Sequence, residues 1–332
     1  VVEDFERWLV GQNPLEVERL WQLMYNGTRF PGGLIVNAAI SGIEQALLDV
    51  CGRALGVPVY QLLGGKCRDR VRVYGRPRGT TPEELRDRAR RLVEVEGYDA
   101  LKMQPLPPEE GLPWNVAVQE AARRVEAVRS GVEAGVEIGL DPHAKIFEPF
   151  RALQLAEAVA PFRPYFVEEP IRPENIEAMG DLKARFPVPL ATGEMLYTKF
   201  QFRDLLVHKA ADIIQPDICL VGGVLEMKKI AAMAEAFYVV VAPHNPMGPL
   251  ATAVNVHFAA ATANFEILET SETATQRAGM VKEPLAVKNG YIEVPDAPGW
   301  GVEVDEEALA RATLKPWRRR LPRRKDGSWG FN

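Results

Sequence analysis

Hydrophobic and polar positions follow two rhythms along this chain. Residues 1–30 read as helical, with Leu15, Glu16, Arg19 and Trp21 in an amphipathic stretch that ends near Gly27. Residues 37–56 carry Ile40, Ile43, Leu47, Val50 and Leu55 at near-helical spacing, and Gly56 and Pro58 then stop the helix. From Val71 the texture changes. Short apolar runs alternate with longer amphipathic ones, and the short runs are strand candidates: 71–75, 100–104, 136–141, 165–168, 189–194, 212–217, 238–244 and 265–269. Between them lie helix signals. Thr81-Pro82-Glu83-Glu84 predicts a capping box with proline at the first helical position. Gly222-Gly223 precedes a run with Met227, Ile230, Met233 and Phe237 on one helical face. Strand and helix alternating about eight times predict a parallel sheet closed into a barrel. An open doubly wound sheet competes, but no G-x-G-x-x-G is present. Beyond residue 285 the rhythm breaks. Asn289-Gly290 predicts a turn, and the tail is expected to return to the N-terminal helices.

Composition narrows the class. The 332 residues are 47% hydrophobic and 26% charged, which is globular composition able to bury a full core. No apolar run approaches the ~20 residues of a membrane span, so no membrane partner is expected. A net charge of −5 argues against wholesale nucleic-acid binding. The basic run from Lys315 to Lys325 reads as solvated surface or an oligomer contact. Cys51, Cys67 and Cys219 are odd in number, without metal spacing, and point to a reducing cytoplasm. No signal peptide is recognised, and because the chain opens on Val1 its N-terminus is expected to be truncated.

The chemistry lies at the ends of the strand candidates. Asp141, Glu168, Glu194, Asp217, His244 and Glu269 follow one another at 27, 26, 23, 27 and 25 residues, about one strand–helix unit each. Each unit therefore delivers one ionisable group to the C-terminal rim, where barrel active sites sit. Asp141, Glu168 and Glu194 would repel one another without a cation, which implies a hard, oxygen-loving ion; Mg²⁺ fits and zinc does not. Glu169 is the fallback for Glu168. His143 stands two residues beyond Asp141. Asp217, one strand before His244, can hydrogen-bond that histidine and make it a base near neutral pH. His208 and His257 lie in helical stretches with no partner visible and read as structural.

These residues resemble the mandelate racemase/muconate lactonizing branch of the enolase superfamily. The resemblance rests on residues 38–65, FVEEP (166–170), ATGE (191–194), IIQPD (213–217) before Gly222-Gly223, APH (242–244) and PGWGVEVDE (298–306). Within the branch, Asp141/His143 and Asp217/His244 are most similar to sugar-acid dehydratases, the galactonate dehydratases above all. The resemblance implies an α/β fold, a modified TIM barrel of (β/α)7β type with a partial α+β cap. Residues 1–68 would form the cap, 69–285 the barrel and 286–332 a segment returning to the cap. It implies that Asp141, Glu168 and Glu194 hold Mg²⁺, that His244, oriented by Asp217, abstracts the proton α to a carboxylate, that His143 protonates the departing β-hydroxyl, and that Glu269 hydrogen-bonds substrate. The product would be a 2-keto-3-deoxy acid. Racemases of the branch carry Lys-x-Lys on the second barrel strand, where this chain reads Lys102-Met103-Gln104. That disfavours a two-base racemase and leaves Lys102 as either a substrate-carboxylate contact or a rim lysine, with Gln104 a further substrate contact. The expected partner is a small sugar acid, in a homo-oligomer. A mannonate or other acid-sugar dehydratase, a racemase or epimerase, and a non-catalytic sugar-acid binder are the alternatives.

Overall fold

A computed structural model describes residues 1–30, 32–109, 111–270, 280–313 and 326–329. All eight expected strands form: β1 Arg70–Tyr74, β2 Ala100–Met103, β3 Glu137–Leu140, β4 Phe166–Glu168, β5 Leu190–Thr192, β6 Ile213–Ile214, β7 Val240–Val241 and β8 Leu268–Glu269. Ahead of β1 lies the short helix α4 Val59–Leu62, and between the strands run α5 Pro82–Glu94, α6 Trp114–Ser130, α7 Pro149–Val159, α8 Ile176–Lys183, α9 Thr198–Val207, α10 Val224–Ala236 and α11 Pro249–Ala260. Strands β2 to β7 pair in parallel in chain order. The ring closes through β1–β8 pairing (Val73 opposite Leu268, Tyr74 opposite Glu269) and single parallel bridges Gly75–Leu101 and Val241–Phe265. The fold is thus the (β/α)7β barrel.

Side-chain volume explains the closure. Tyr74, Ala100, Phe166, Ala191, Ile213, Ala242 and Ile267, from seven strand segments, form one buried cluster in the barrel's centre. β3 contributes Gly139, where a Cβ would lie 2.7 Å from the Phe166 ring, so that ring takes the space of the missing side chain. Outward residues such as Leu101, Ile138, Val167 and Leu190 pack against the helices in the largest cluster. The Thr81 capping box forms as expected. Met227 and Ile230 of α10 are buried, but α10 ends at Ala236 and Phe237 is half exposed.

The N-terminal helices depart from expectation in two ways. Residues 1–30 do not form one helical stretch. They split into α1 Val2–Leu9 and α2 Val17–Gly27, because Gly11 takes a positive φ of 86° and Pro14 follows. In α3 Leu34–Leu55 the buried stripe is Asn37, Ile40, Ser41, Glu44, Leu48 and Cys51, whereas Val50 and Leu55 face outward. By length and composition alone α3 is apolar enough to cross a membrane. Here its inner face is half polar, because it meets the backbone of the turn that opens α10. Ser41 Oγ accepts Gly222 N–H (3.0 Å), and Glu44 accepts Val224 and Leu225 N–H (3.0 and 2.8 Å). Gln45 donates to Ile218 O (3.0 Å), and Trp21 Nε1 donates to Gly222 O (2.7 Å). A carboxylate suits a helix N-terminus, where unpaired N–H groups and the dipole favour negative charge. Gly223 is obligatory here: its φ is 101° and a Cβ would lie 2.6 Å from Glu44 Oε2. Gly223→Ala is therefore expected to cost about 2 kcal/mol or more, read as a lower urea midpoint with unchanged slope.

The tail returns to both parts. Asn289-Gly290 joins β9 Val287–Lys288 to β10 Tyr291–Glu293, which pairs antiparallel with β1. Trp300 then docks on α3, its N–H on Asp49 (2.9 Å) and its Nε1 on Gln45 O (2.9 Å). A last helix, α12 Glu306–Arg311, follows. The run Lys315–Lys325 lies outside the described residues. His257 has partners that the sequence hid: Nδ1 accepts Tyr60 N–H (3.1 Å), so Nε2 carries the proton and donates to Trp300 O (3.1 Å). Burial pushes this histidine down to about 4. It stays neutral in the folded state while the unfolded chain binds a proton. Stability is then full above pH ~6.5 and falls by about 3 kcal/mol as pH drops toward ~4. His257→Gln should flatten that slope in urea titrations between pH 7 and 4.5, although its own baseline is lower.

Candidate active site

The C-terminal ends of the strands bring the expected residues together. β4 ends on Glu168 and β8 on Glu269, and Asp217 and His244 form a parallel bridge just beyond β6 and β7. His244 Nδ1 lies 2.8 Å from Asp217 Oδ2, and Asp217 Oδ1 accepts Cys219 N–H (2.8 Å). With Nδ1–H donating to Asp217, Nε2 faces the ring interior, 3.4 Å from Glu194 and 4.0 Å from Glu269. Burial would lower the His244 pKa. The hydrogen bond to Asp217 and the charges of Glu194 and Asp217 outweigh burial, and the net direction is up.

Lys102 sits in the middle of the acids. Its ammonium lies 2.7 and 2.6 Å from the two Glu168 oxygens, 3.5 Å from Glu269 and 3.7 Å from Asp141, with the Tyr74 ring 5.2 Å away. It is a buried member of the ring. Gln215 Nε2 adds a 2.6 Å bond to Glu168. Burial pushes the Glu168 carboxyl up, but Lys102 and Gln215 more than compensate and hold it below the usual range. Its neighbour points elsewhere. Glu169 takes a positive φ of 43° and accepts Thr192 Oγ1 (2.5 Å) and Gly193 N–H (3.0 Å). Burial, then the charge of Glu194, push it up to about 8. Of the EEP pair, the first glutamate faces the ring.

Asp141 follows β3 and accepts His143 N–H (2.8 Å); His143 makes this turn with φ 59°. Gln104 uses its carbonyl oxygen on Leu106 N–H (3.1 Å), which braces its own loop. Arg76 and Gln215 were missed from sequence. Arg76, just past β1, pairs with Glu269. Its signal was a basic residue directly after the first strand, and that of Gln215 was its place in IIQPD, two residues before Asp217.

Among the described residues no three His, Cys, Asp or Glu side chains close tightly enough to grip an ion by themselves. The Lys102 ammonium stands among them. The donor set nevertheless suits a hard cation, since it consists of carboxylates from three successive strands. Burial, and then the charge of Glu168, push Asp141 up to about 6. One lysine thus leaves buried negative charge uncompensated, and a divalent ion would relieve it.

A barrel with a cap and this rim of acids around a His–Asp pair defines the enolase superfamily, and the chain belongs to it. Residues 84–308 match the enolase C-terminal domain-like family, and residues 1–64 match the mandelate racemase/muconate lactonizing enzyme N-terminal domain. D-galactonate dehydratases of Variovorax paradoxus (strain S110) and Ralstonia nicotianae (strain ATCC BAA-1114 / GMI1000) are 39% and 38% identical over 336 residues, covering 98% of this chain and 87% of those proteins. A solved enolase from Agrobacterium radiobacter, described as a candidate galactarate dehydratase and bound to sodium and L-malate, superposes with a TM-score of 0.94 at 44% identity, covering 100% of this chain and 88% of that one. The chain is an enzyme, a hydro-lyase.

Proposed function

We propose that this enzyme removes water from a galactonate-like sugar acid, with Mg²⁺ held by Asp141, Glu168 and Glu194. The observation that carries the proposal is the 2.8 Å His244–Asp217 pair with Nε2 left facing the acid ring. The names of the curated relatives support the substrate class.

When bound, the ion acts as a Lewis acid for the second negative charge that builds up on the enediolate, worth several kcal/mol. The chain's own residues do the proton work. His244 Nε2 takes the proton α to the carboxylate, and Asp217 steadies the resulting imidazolium. Lys102 adds positive charge beside the substrate carboxylate. His143 gives a proton to the β-hydroxyl as its C–O bond breaks, so that water leaves. Glu269 hydrogen-bonds a substrate hydroxyl, and the amide NH₂ of Gln104 a second. The enol then ketonises to a 2-keto-3-deoxy acid, so substrate equals product plus one water.

The test is incubation with D-galactonate and Mg²⁺ in D₂O, followed by NMR. A 2-keto-3-deoxy product with solvent deuterium is expected. Exchange at the α-carbon without loss of water would make the enzyme an epimerase. Neither exchange nor product, in folded Mg²⁺-loaded protein, would leave a sugar-acid binder.

A further inference from the structure

We infer that Gln45, on helix α3 outside the barrel, is a positioning residue for the reaction and acts on Asp217 through a single peptide unit. The inference rests on the dehydratase proposal and gives the cap a part in holding its base.

Gln45 Nε2 donates to Ile218 O at 3.0 Å. The other end of that peptide unit is Cys219 N–H, which donates to Asp217 Oδ1 at 2.8 Å, while Asp217 Oδ2 meets His244 Nδ1 at 2.8 Å. A trans peptide is planar, with its C=O and N–H pointing in opposite directions. Holding the carbonyl therefore aims the N–H. Among the described residues, Cys219 N–H and His244 Nδ1 are the donors to the Asp217 carboxylate, which is 1% exposed. A swing of the peptide would leave Oδ1 unpaired out of reach of bulk water, and the carboxylate would turn away from the imidazole to recover a partner. The other contacts from the cap do not duplicate this hold. Trp21, Ser41 and Glu44 bind Gly222, Val224 and Leu225, farther along the turn. Leu220 and Val221 N–H both bond Asp217 O at 2.9 Å, which fixes the peptide before Ile218 and leaves the next plane to Gln45. Gln45 is itself anchored, since its main-chain carbonyl accepts Trp300 Nε1–H at 2.9 Å. Hydrogen bonds in a chain also polarise one another, so the Gln45 donor strengthens Cys219 N–H as a donor.

The experiment compares the Mg²⁺-loaded wild type with Gln45→Leu, which removes the donor at similar volume, and Gln45→Lys, which keeps one. On D-galactonate, Gln45→Leu is expected to lower kcat about 10-fold with KM changed less than about twofold, and Gln45→Lys to recover most of the loss. In an Asp217→Asn background the leucine substitution should cost less than about twofold, because residues that act through one another are not additive. A merely structural role predicts the same loss in both backgrounds. That outcome, or an unchanged kcat, would overturn the inference. A second readout needs no turnover. In protein carrying isotope-labelled histidine, the NMR signal of His244 Nδ1, identified by its absence from His244→Asn, should move in Gln45→Leu and return toward its wild-type position in Gln45→Lys. If no acid is dehydrated and that movement is seen, the dehydratase proposal fails and the positioning role stands; a signal that stays in place sinks the role. Gln45→Ala repeats both measurements should leucine prevent folding.

Discussion

His244→Asn is expected to lower dehydration of D-galactonate by about 10³-fold or more and to abolish exchange of the α-proton in D₂O. A positioned base contributes about 10²–10⁴-fold, and here it acts on a weak carbon acid with no visible substitute. Among the described residues, the acids that face Nε2 are Glu194 and Glu269. In the proposal the first is engaged by the cation and the second by a substrate hydroxyl. Asparagine keeps a hydrogen-bonding amide near Asp217, which is 1% exposed and would otherwise be left a buried charge short of a partner. A fold defect would lower the melting temperature. A chemical defect would not, and the distinction is read by running both assays on one preparation. Exchange persisting within tenfold of wild type would move the base elsewhere.

Exhaustive chelation is expected to reduce turnover by at least 10³-fold, with recovery on adding Mg²⁺. Stabilising the doubly negative intermediate takes several kcal/mol, and Lys102 alone, already salt-bridged to Glu168, cannot supply it. The same treatment has a readout independent of turnover. Burial, and then the charge of Glu168, push Asp141 up to about 6, so a cation bound there would relieve both. Mg²⁺ should therefore raise the melting temperature of wild type, since a ligand bound only by the folded state stabilises it by mass action. Asp141→Asn should weaken that gain. Full activity in chelated protein would contradict the metal assignment.

Much of this was legible in the sequence because barrel chemistry repeats with the strand–helix unit. Six residues at near-equal spacing marked the rim before any coordinates, and the capping box at Thr81 and the glycine pair at 222–223 marked helix starts that formed. The failures share one cause. Contacts across the ring are set by which side chain reaches over which strand, and linear spacing does not encode that. Lys102 could be placed on β2, but its two bonds to Glu168, two strands away, could not. Arg76 was missed because the series of spaced residues began at β3, although β1 lies beside β8 in the closed ring. α3 misled for a different reason. Its apolar spacing marked Val50 and Leu55, yet the surface it covers is backbone, and exposed N–H groups select Ser41 and Glu44 over leucine.

That helix has a consequence for how the molecule comes apart. The turn from Ile218 to Leu225 hangs directly from Asp217, the hydrogen-bond partner of His244, and it is gripped from outside the barrel by Trp21, Ser41, Glu44 and Gln45. Peeling the N-terminal helices away would strip five hydrogen bonds from the segment that follows Asp217, the partner of the proposed base. Loss of the outer layer and loss of the catalytic geometry are one event, and a half-dismantled form that still turns over substrate has no place in this architecture.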